Sequence, residues 1–312
     1  MISFLLSIIG WYIIARGLYA GYRIIEEIYI LKEHNLVERY GKGSWAFITG
    51  STDGIGLEFA IQLAKRGFNI IIVARNPQKM VEKETLLKQA NPQVQVEKVV
   101  IDFSESGDIS KLEKAVDQVK DKDISILVNN VGMGTKGTPV LDMEMQAALD
   151  MVVVNCLPQT LFNRLLIPQM QKRSSRSAVI DLSSVASIYP FPGKEIYSAT
   201  KLYNRFLTNG LSMMPETTNV DFLCLKPGFV TTPLTDNRKE DSITCNTEEC
   251  VNGALKALGH KRETYGATKH VLFGAGLEAV LFLLPLPLMM KYKDSLYGLV
   301  GYKAFTNAKV AK

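Results

Sequence analysis

The sequence has little of what metal centres, disulfide frameworks and nucleic-acid binding require. Only four cysteines occur in 312 residues, and Cys245 and Cys250 have no partner pair at the spacing of a zinc site. We therefore expect neither a metal site nor a disulfide framework, and a reducing compartment is the simpler assumption. The formal charge is +5 without a long basic run, so nucleic acid is not expected as a partner. The sequence also has no internal repeat and no low-complexity segment.

The beginning of the chain, in contrast, is strongly apolar. Ile2–Ala15 is apolar apart from two serines, and the apolar character continues beyond Arg16 to Tyr22. A cleaved signal peptide would begin with basic residues, which are missing here, and nothing polar marks the solvent face of a buried helix. A membrane anchor of about 20 residues fits if Arg16 reaches the interface. Basic residues follow the segment, so we predict that residues 1–40 are an anchor and linker and that the main domain faces the cytosol.

A strand, a glycine turn, a helix and a second strand follow one another from Trp45. Trp45–Thr49 is a short apolar strand, T-G-S-T-D-G-I-G contains the turn, and Asn69–Arg75 is the next strand, after a helix closed by Gly67. Glycines permit a tight turn, and the free N–H groups at the start of the helix favour a pyrophosphate. The candidate cofactor contacts in this turn are Gly50, Ser51, Asp53, Gly54, Ile55 and Gly56.

The end of the second strand is the place where the adenosine ribose of a dinucleotide is recognised. An acidic residue there would accept a hydrogen bond from a free 2′-hydroxyl and repel a 2′-phosphate. This sequence instead has Arg75, followed by Asn76. Because a guanidinium pairs well with a phosphate, the pattern favours NADPH; an exposed arginine at the start of a helix is the alternative.

Strands and helices continue to alternate to about residue 230. Further strands are predicted at Val96–Asp102, Ile124–Gly132, Ser177–Leu182 and Val220–Leu225. Asp102 and Asn129 then lie at the edge where open α/β sheets bind ligands. An irregular loop containing Pro227 and Thr231 follows the last of these strands. We predict an α/β fold with a Rossmann-like, doubly wound parallel sheet over residues 41–265.

Three side chains around the fifth strand form a chemically coherent group. Tyr197 and Lys201 are four residues apart at the start of a predicted helix, so they share one face. Ser184 precedes them at the end of the strand, across a loop rich in proline and glycine. A nearby ammonium lowers the pKa of a phenol, so Tyr197 could exchange a proton with a substrate oxygen near neutral pH. Ser184 would hydrogen-bond the same oxygen, and Lys201 could hold a ribose hydroxyl.

The pattern Y-x-x-x-K is a weak signal by itself, and it occurs a second time. Tyr265 and Lys269 repeat it, but the residue thirteen positions before Tyr265 is Asn252 and not a serine. We interpret this second copy as a surface coincidence.

The order of the motifs is more specific than any one of them. T-G-x-x-x-G-x-G, N-N-x-G, an asparagine within the long helical run Met143–Met170, then Ser, Y-x-x-x-K and P-G occur in this sequence and spacing. In this combination the chain resembles the short-chain dehydrogenase/reductase family from about Lys42 to Pro233.

The resemblance implies roles for individual residues. It implies a catalytic tetrad in which the asparagine holds a water that links the lysine to bulk solvent, formed by Asn155, Ser184, Tyr197 and Lys201. A buried amide such as that of Asn155 must in any case hydrogen-bond backbone, water or substrate. Beyond the glycine turn, the resemblance implies contacts of NADPH with Arg75, Asp102, Asn129, Tyr197, Lys201, Pro227 and Thr231.

Within the family, the sequence resembles a membrane branch, the very-long-chain 3-oxoacyl-CoA reductases, also called 17β-hydroxysteroid dehydrogenase type 12, with its type 3 relative. The branch implies NADPH-dependent reduction of a 3-oxoacyl-CoA to a 3-hydroxyacyl-CoA in fatty acid elongation. It also implies the endoplasmic reticulum membrane, a homodimer and other elongation enzymes as partners. A 17-ketosteroid reductase and a catalytically silent nucleotide-binding scaffold remain alternatives. Lys172, Arg173 and Arg176 could meet CoA phosphates, although a solvated basic surface is the favoured interpretation.

Residues 266–312 are predicted to be a hydrophobic, membrane-associated extension. Val271–Met290 is apolar except for Glu278 and two prolines near its end. The run could span the membrane, dip into it, or pack as a lip of the substrate site, and lysines on both sides do not decide between these. Some members of the branch end in a dilysine retrieval signal, but Val310 stands in its place.

Overall fold

Seven parallel strands form the centre of the fold in a computed structural model, which describes residues 2–105, 108–134, 137–191 and 193–283. With the two short strands outside this sheet included, the strands of the described residues are, in chain order, β1 (Trp45–Thr49), β2 (Asn69–Ala74), β3 (Val96–Val100), β4 (Ile124–Asn129), β5 (Ser177–Leu182), β6 (Val220–Leu225), β7 (Phe229–Val230), β8 (Thr244–Cys245) and β9 (Glu263–Thr264). The sheet has the order β3-β2-β1-β4-β5-β6-β9, and β7 pairs separately with β8. The direction of winding reverses between β1 and β4, which opens a cleft at their carboxyl ends.

Helices cover both faces of the sheet. In chain order, the α-helices of the described residues are α1 (Ile2–Ile25), α2 (Leu36–Tyr40), α3 (Gly54–Lys65), α4 (Pro77–Ala90), α5 (Ile109–Asp117), α6 (Met145–Met170), α7 (Glu195–Leu211), α8 (Thr247–Ala257) and α9 (Thr268–Leu283). Within β2, Ile70 and Ile72 belong to the core on one face, whereas Ile71 and Val73 belong to the core on the other. This is why the strands read as continuous apolar runs: successive side chains point to opposite faces, and both faces are buried.

The predicted α/β fold with a parallel sheet is confirmed. β1, β5 and β6 have the predicted bounds, and α7 begins at Glu195 as expected. The last strand of the sheet, β9, and the β7–β8 pair were not predicted. Each of these strands is only two residues long, which is too short to produce a periodic pattern of apolar residues.

The predicted N-terminal helix is present as α1. Among the described residues, no helix combines the length and the apolar character that a membrane crossing needs. After α1, the short helix α2 packs against the main domain, and Leu36 and Tyr40 are buried in its core. The side chains of Arg39 and Tyr40 also donate hydrogen bonds to Asp221. Part of the segment predicted as a linker therefore contributes to the core.

The C-terminal apolar run forms helix α9 as far as Leu283, and the remainder of the predicted extension lies outside the described residues. Glu278 accepts a hydrogen bond from the hydroxyl of Tyr265 at 2.6 Å and lies 3.4 Å from the ammonium of Lys226. Tyr265 is only 7% exposed. Our interpretation of the second Y-x-x-x-K copy as a surface coincidence is therefore wrong. Its tyrosine is buried and contacts α9.

Candidate active site

The glycine turn between β1 and α3 is built for close backbone approach. Gly50 and Gly54 have positive φ angles of 64° and 53°, which non-glycine residues rarely adopt. A Cβ atom on Gly56 would lie 2.3 Å from Asn130 Nδ2 and 2.5 Å from the carbonyl oxygen of Gly50. The Asp53 side chain caps α3 by accepting a hydrogen bond from the N–H of Gly54. The turn thus brings the amino end of α3, with its free N–H groups, to the cleft.

Threonine and asparagine side chains lock the turn to the end of β4. Thr49 Oγ1 accepts hydrogen bonds from the backbone N–H groups of Asn130 and Val131 at 2.9 and 3.0 Å. The Asn130 amide donates to the carbonyl of Thr49 at 2.9 Å. Ser51 is fully buried and accepts from the N–H of Val73 at 3.0 Å, which fixes the turn to β2. Ser51 and Gly56 therefore determine the shape of the turn through contacts with neighbouring protein atoms.

Asn129 is placed differently from its predicted role in the cofactor cleft. Its amide donates to Asn163 and Asp181 at 2.9 and 2.8 Å inside the core. Neighbouring strand residues point to opposite sides, so Asn130, and not Asn129, lines the cleft.

Ser184 sits where β5 ends and a short 3₁₀ turn begins. Its hydroxyl oxygen accepts from the N–H of Ala186 at 3.1 Å, and the hydroxyl reaches the Pro227 carbonyl at 3.5 Å. The preceding Ser183 donates to the carbonyl of Lys201 at 2.6 Å, which joins the end of β5 to α7. Ser184, Tyr197 and Lys201 thereby come together as predicted.

The electrostatics of Tyr197 differ from the expectation. Burial raises the pKa of Tyr197, and a hydrogen bond with Ser184 opposes this shift without reversing it. Burial also lowers the pKa of Lys201 to about 8; its ammonium donates to the Leu182 carbonyl at 3.0 Å and lies 5.8 Å from the centre of the Tyr197 ring. The predicted lowering of the phenol pKa is wrong for this structure, because desolvation outweighs the hydrogen bond with Ser184.

Asn155 connects three parts of the site. Its Oδ1 accepts from the N–H of Met133 at 2.7 Å, and its amide donates to the Met133 carbonyl and to Thr200 Oγ1, both at 3.0 Å. A Cβ atom on Gly132 would lie 3.2 Å from Asn155 Oδ1 and 3.3 Å from Lys201 Nζ. Asn155 therefore holds the segment after β4 against α7, next to Lys201.

These elements enclose a cavity of about 610 Å³. Among the predicted site residues, the lining includes Ser184, Tyr197, Lys201, Gly50, Asp53, Gly54, Ile55 and Pro227. Thr231 donates its hydroxyl to the carbonyl of Arg238, and the next residue, Thr232, lines the cavity instead. The lining combines polar and charged residues with apolar side chains such as Phe191, Leu234 and Phe273.

Arg75 and Asp102 lie at the ends of neighbouring strands beside the turn. Arg75 is exposed directly after β2. Hydrogen bonds from the N–H and hydroxyl of Ser104 hold the pKa of Asp102 below its usual value, with a smaller contribution from the charge of Arg75. Both positions suit contacts with the adenosine half of a dinucleotide. The glycine turn and the amino end of α3 suit its pyrophosphate.

Several lining residues were missed from the sequence. Asn130 adjoins a predicted residue, and strand alternation could have identified it. Lys194 precedes α7, Arg238 lies in the loop before β8, and Phe273 belongs to α9. Their convergence depends on tertiary contacts that no local pattern encodes.

Comparison with known proteins identifies the family. Residues 44–243 match the family model for the short chain dehydrogenases. A very-long-chain 3-oxoacyl-CoA reductase of Coccidioides immitis (strain RS) is 33% identical over 80% of this chain and 71% of its own. A Caenorhabditis elegans protein named "Putative steroid dehydrogenase 1" is 31% identical over 73% of each chain.

Solved structures share the fold. A 7beta-hydroxysteroid dehydrogenase superimposes with a TM-score of 0.67 at 24% identity, covering 79% of this chain and 95% of the other. The NADPH complex of L-sorbose reductase from Gluconobacter frateurii gives 0.63 at 23% identity, covering 73% and 97%. The family match, the sheet order and the assembled Ser184, Tyr197 and Lys201 lead to one conclusion: the chain is an oxidoreductase that belongs to the short chain dehydrogenase family.

Proposed function

We propose that the protein uses NADPH to reduce a 3-oxoacyl-CoA to a 3-hydroxyacyl-CoA in very-long-chain fatty acid elongation. The observation that carries the proposal is the convergence of Ser184, Tyr197 and Lys201 on one cavity beside the glycine turn. The name of the Coccidioides relative supports the substrate class. The exposed Arg75 at the end of β2, where a 2′-phosphate would be recognised, supports NADPH.

The side chains divide the chemistry between them. When bound, NADPH supplies the hydride that the carbonyl carbon receives. Tyr197 donates its proton to the carbonyl oxygen; the raised pKa keeps the phenol protonated at neutral pH, which is the form that reduction needs. Ser184 hydrogen-bonds the same oxygen as negative charge develops on it. Lys201 remains mostly protonated at pH 7 and stabilises the phenolate that Tyr197 becomes.

A second candidate is reduction of a neutral 17-ketosteroid. It is favoured by the apolar side chains in the cavity lining, which include Phe191, Leu234 and Phe273, and by the name of the nematode relative. The same three catalytic side chains would perform this reaction without change.

We also propose that the protein is attached to the endoplasmic reticulum membrane with its catalytic domain in the cytosol. The support is α1, where Phe4, Trp11 and Leu18 are 69%, 71% and 72% exposed. A helix with this much exposed apolar surface favours a lipid or protein environment over water. A homodimer and contacts with other elongation enzymes are proposed from the family resemblance alone.

A turnover assay tests the reaction. The purified protein is given NADPH with long-chain 3-oxoacyl-CoAs and, separately, with 17-ketosteroids, and loss of NADPH absorbance is followed. We expect turnover with the CoA thioesters. Reduction of the steroids without reduction of any 3-oxoacyl-CoA would replace the first candidate with the second.

A further inference from the structure

Two cationic side chains lie against one aromatic ring in the active-site cavity. The ammonium of Lys194 is 5.5 Å from the centre of the Phe229 ring, and the guanidinium carbon of Arg238 is 4.4 Å from it. All three residues line the cavity that contains Tyr197. A ring face favours a cation electrostatically and fixes its position, so both charges are held at the cavity wall.

Among the described residues, Lys194 has no negatively charged partner. Within the described ranges, no carboxylate lies within 4 Å of its ammonium, and burial together with the charge of Arg238 lowers its pKa. Arg238 pairs with Asp241 at 2.8 Å, and the exposed Asp236 also borders the cavity. A partly buried ammonium without an anionic partner is costly, and a bound anion would offset that cost.

Two of the three basic residues that the sequence suggested for CoA, Arg173 and Arg176, are engaged elsewhere. Arg173 forms paired hydrogen bonds with Asp123 at 2.6 and 2.9 Å, and Arg176 contacts Asp221 at 2.6 Å. These contacts lie at the amino ends of β4, β5 and β6, opposite the catalytic cleft. Lysine and arginine at the cavity itself are better placed to meet a substrate.

We propose that Lys194 and Arg238 bind the phosphates of a CoA thioester, and that the apolar wall containing Phe273 receives the acyl chain. Phosphate oxygens form strong charge-assisted hydrogen bonds with both cations. A neutral steroid ketone offers neither cation an anionic partner. The inference rests on the proposed function and narrows it to the anionic substrate class.

Truncated substrates separate the phosphate contacts from the chemistry. The variants Lys194→Met, Arg238→Met and the double variant are assayed with a long-chain 3-oxoacyl-CoA and with the same acyl group on N-acetylcysteamine, which has no phosphate. We expect KM for the CoA thioester to rise roughly tenfold to a hundredfold per variant. KM for the N-acetylcysteamine thioester should not change. Lys239→Met, which changes an exposed neighbouring cation, is the matched control and should affect neither substrate.

Binding measurements keep the inference testable if no thioester is turned over. Calorimetric titration of free CoA into the wild-type protein with NADPH should show binding, and the double variant should show none. The affinity of all variants for NADPH, measured by fluorescence, should stay unchanged. Failure of the proposed function would appear as absent turnover of both thioesters by the wild type. The inference itself would be overturned by equal KM changes for both thioesters, or by CoA binding that is absent from the wild type or retained in the double variant.

Discussion

The imidazole of His270 lies directly against Gly228 in the loop that lines the active-site cavity. The N–H of Gly228 donates to His270 Nδ1 at 3.2 Å, and His270 Nε2 donates to the carbonyls of Phe229 and Ile243 at 3.0 and 3.1 Å. Nε2 therefore carries the proton, since both of its partners are acceptors. The fully buried histidine of α9 thus fixes the loop that follows β6.

Gly228→Ala should disrupt this contact. A Cβ atom at residue 228 would lie 2.8 Å from His270 Cδ2, and the ring cannot move away without breaking its hydrogen bonds. Overpacking of this kind costs about 1–3 kcal/mol, measurable by urea unfolding. The control is Gly276→Ala on the exposed side of α9, which should be neutral or stabilising. Apart from the nearby backbone of α9, no described atom lies within 4 Å of the new Cβ. Equal stability of the two variants would contradict the packing argument.

Tyr197→Phe keeps the aromatic ring and removes the transferable proton. Turnover should fall by roughly 10²- to 10⁴-fold, while NADPH binding measured by fluorescence is retained. Tyr265→Phe is the internal control, because it removes a hydroxyl from the other Y-x-x-x-K copy. That hydroxyl donates a hydrogen bond to Glu278, so its loss should lower the free energy of unfolding and leave turnover nearly unchanged. The assignment fails if the two variants slow turnover equally.

Arg75→Asp should reverse the preference for cofactor. Loss of a charge-assisted phosphate contact costs about 1.5–3 kcal/mol, and the new carboxylate repels the 2′-phosphate in addition. The affinity for NADPH should therefore fall much more than the affinity for NADH, as measured by titration of each cofactor. Equal losses for both would show that Arg75 does not recognise the phosphate.

Asp181 should make stability depend on pH in the acidic range. Burial raises its pKa to about 6, despite hydrogen bonds from Asn129, Asn163 and Thr208. A carboxyl with a raised folded-state pKa stabilises the fold at low pH, and this contribution is lost as the pH rises through about 6. Between pH 4 and 7 the free energy of unfolding of the wild type should fall by up to about 3 kcal/mol relative to Asp181→Asn. Parallel pH profiles of the two proteins would refute the assignment.

Deletion of residues 1–31 tests the proposed membrane attachment. The truncated protein should be released at least partly from microsomes, because it loses the exposed apolar surface of α1. Carbonate and salt extraction followed by immunoblotting measures the release. Full resistance to both treatments would assign the attachment to another segment.

The fold was predictable from the sequence where local patterns are long enough. β1, β5 and β6 are largely apolar segments of five or six residues, and the order of the motifs located Ser184, Tyr197 and Lys201. The pKa of Tyr197 was not predictable, because it depends on burial. The proximity of Lys194 to Arg238 was not predictable either. The short β7–β8 pair and the residues before α7 bring the two cations together only in three dimensions.

The ion pair between α9 and the end of β6 determines how the cavity can adapt to bulky substrates. Phe273 lines the cavity, and Glu278 lies five residues further along the same helix, where it meets the almost fully buried ammonium of Lys226. Outward movement of α9 would leave that ammonium with Glu263 alone and expose the buried hydroxyl of Tyr265. Displacement of α9 would therefore enlarge the cavity only at a large cost in free energy. A smaller side chain at position 273, which lines the cavity, would enlarge the cavity without breaking these bonds.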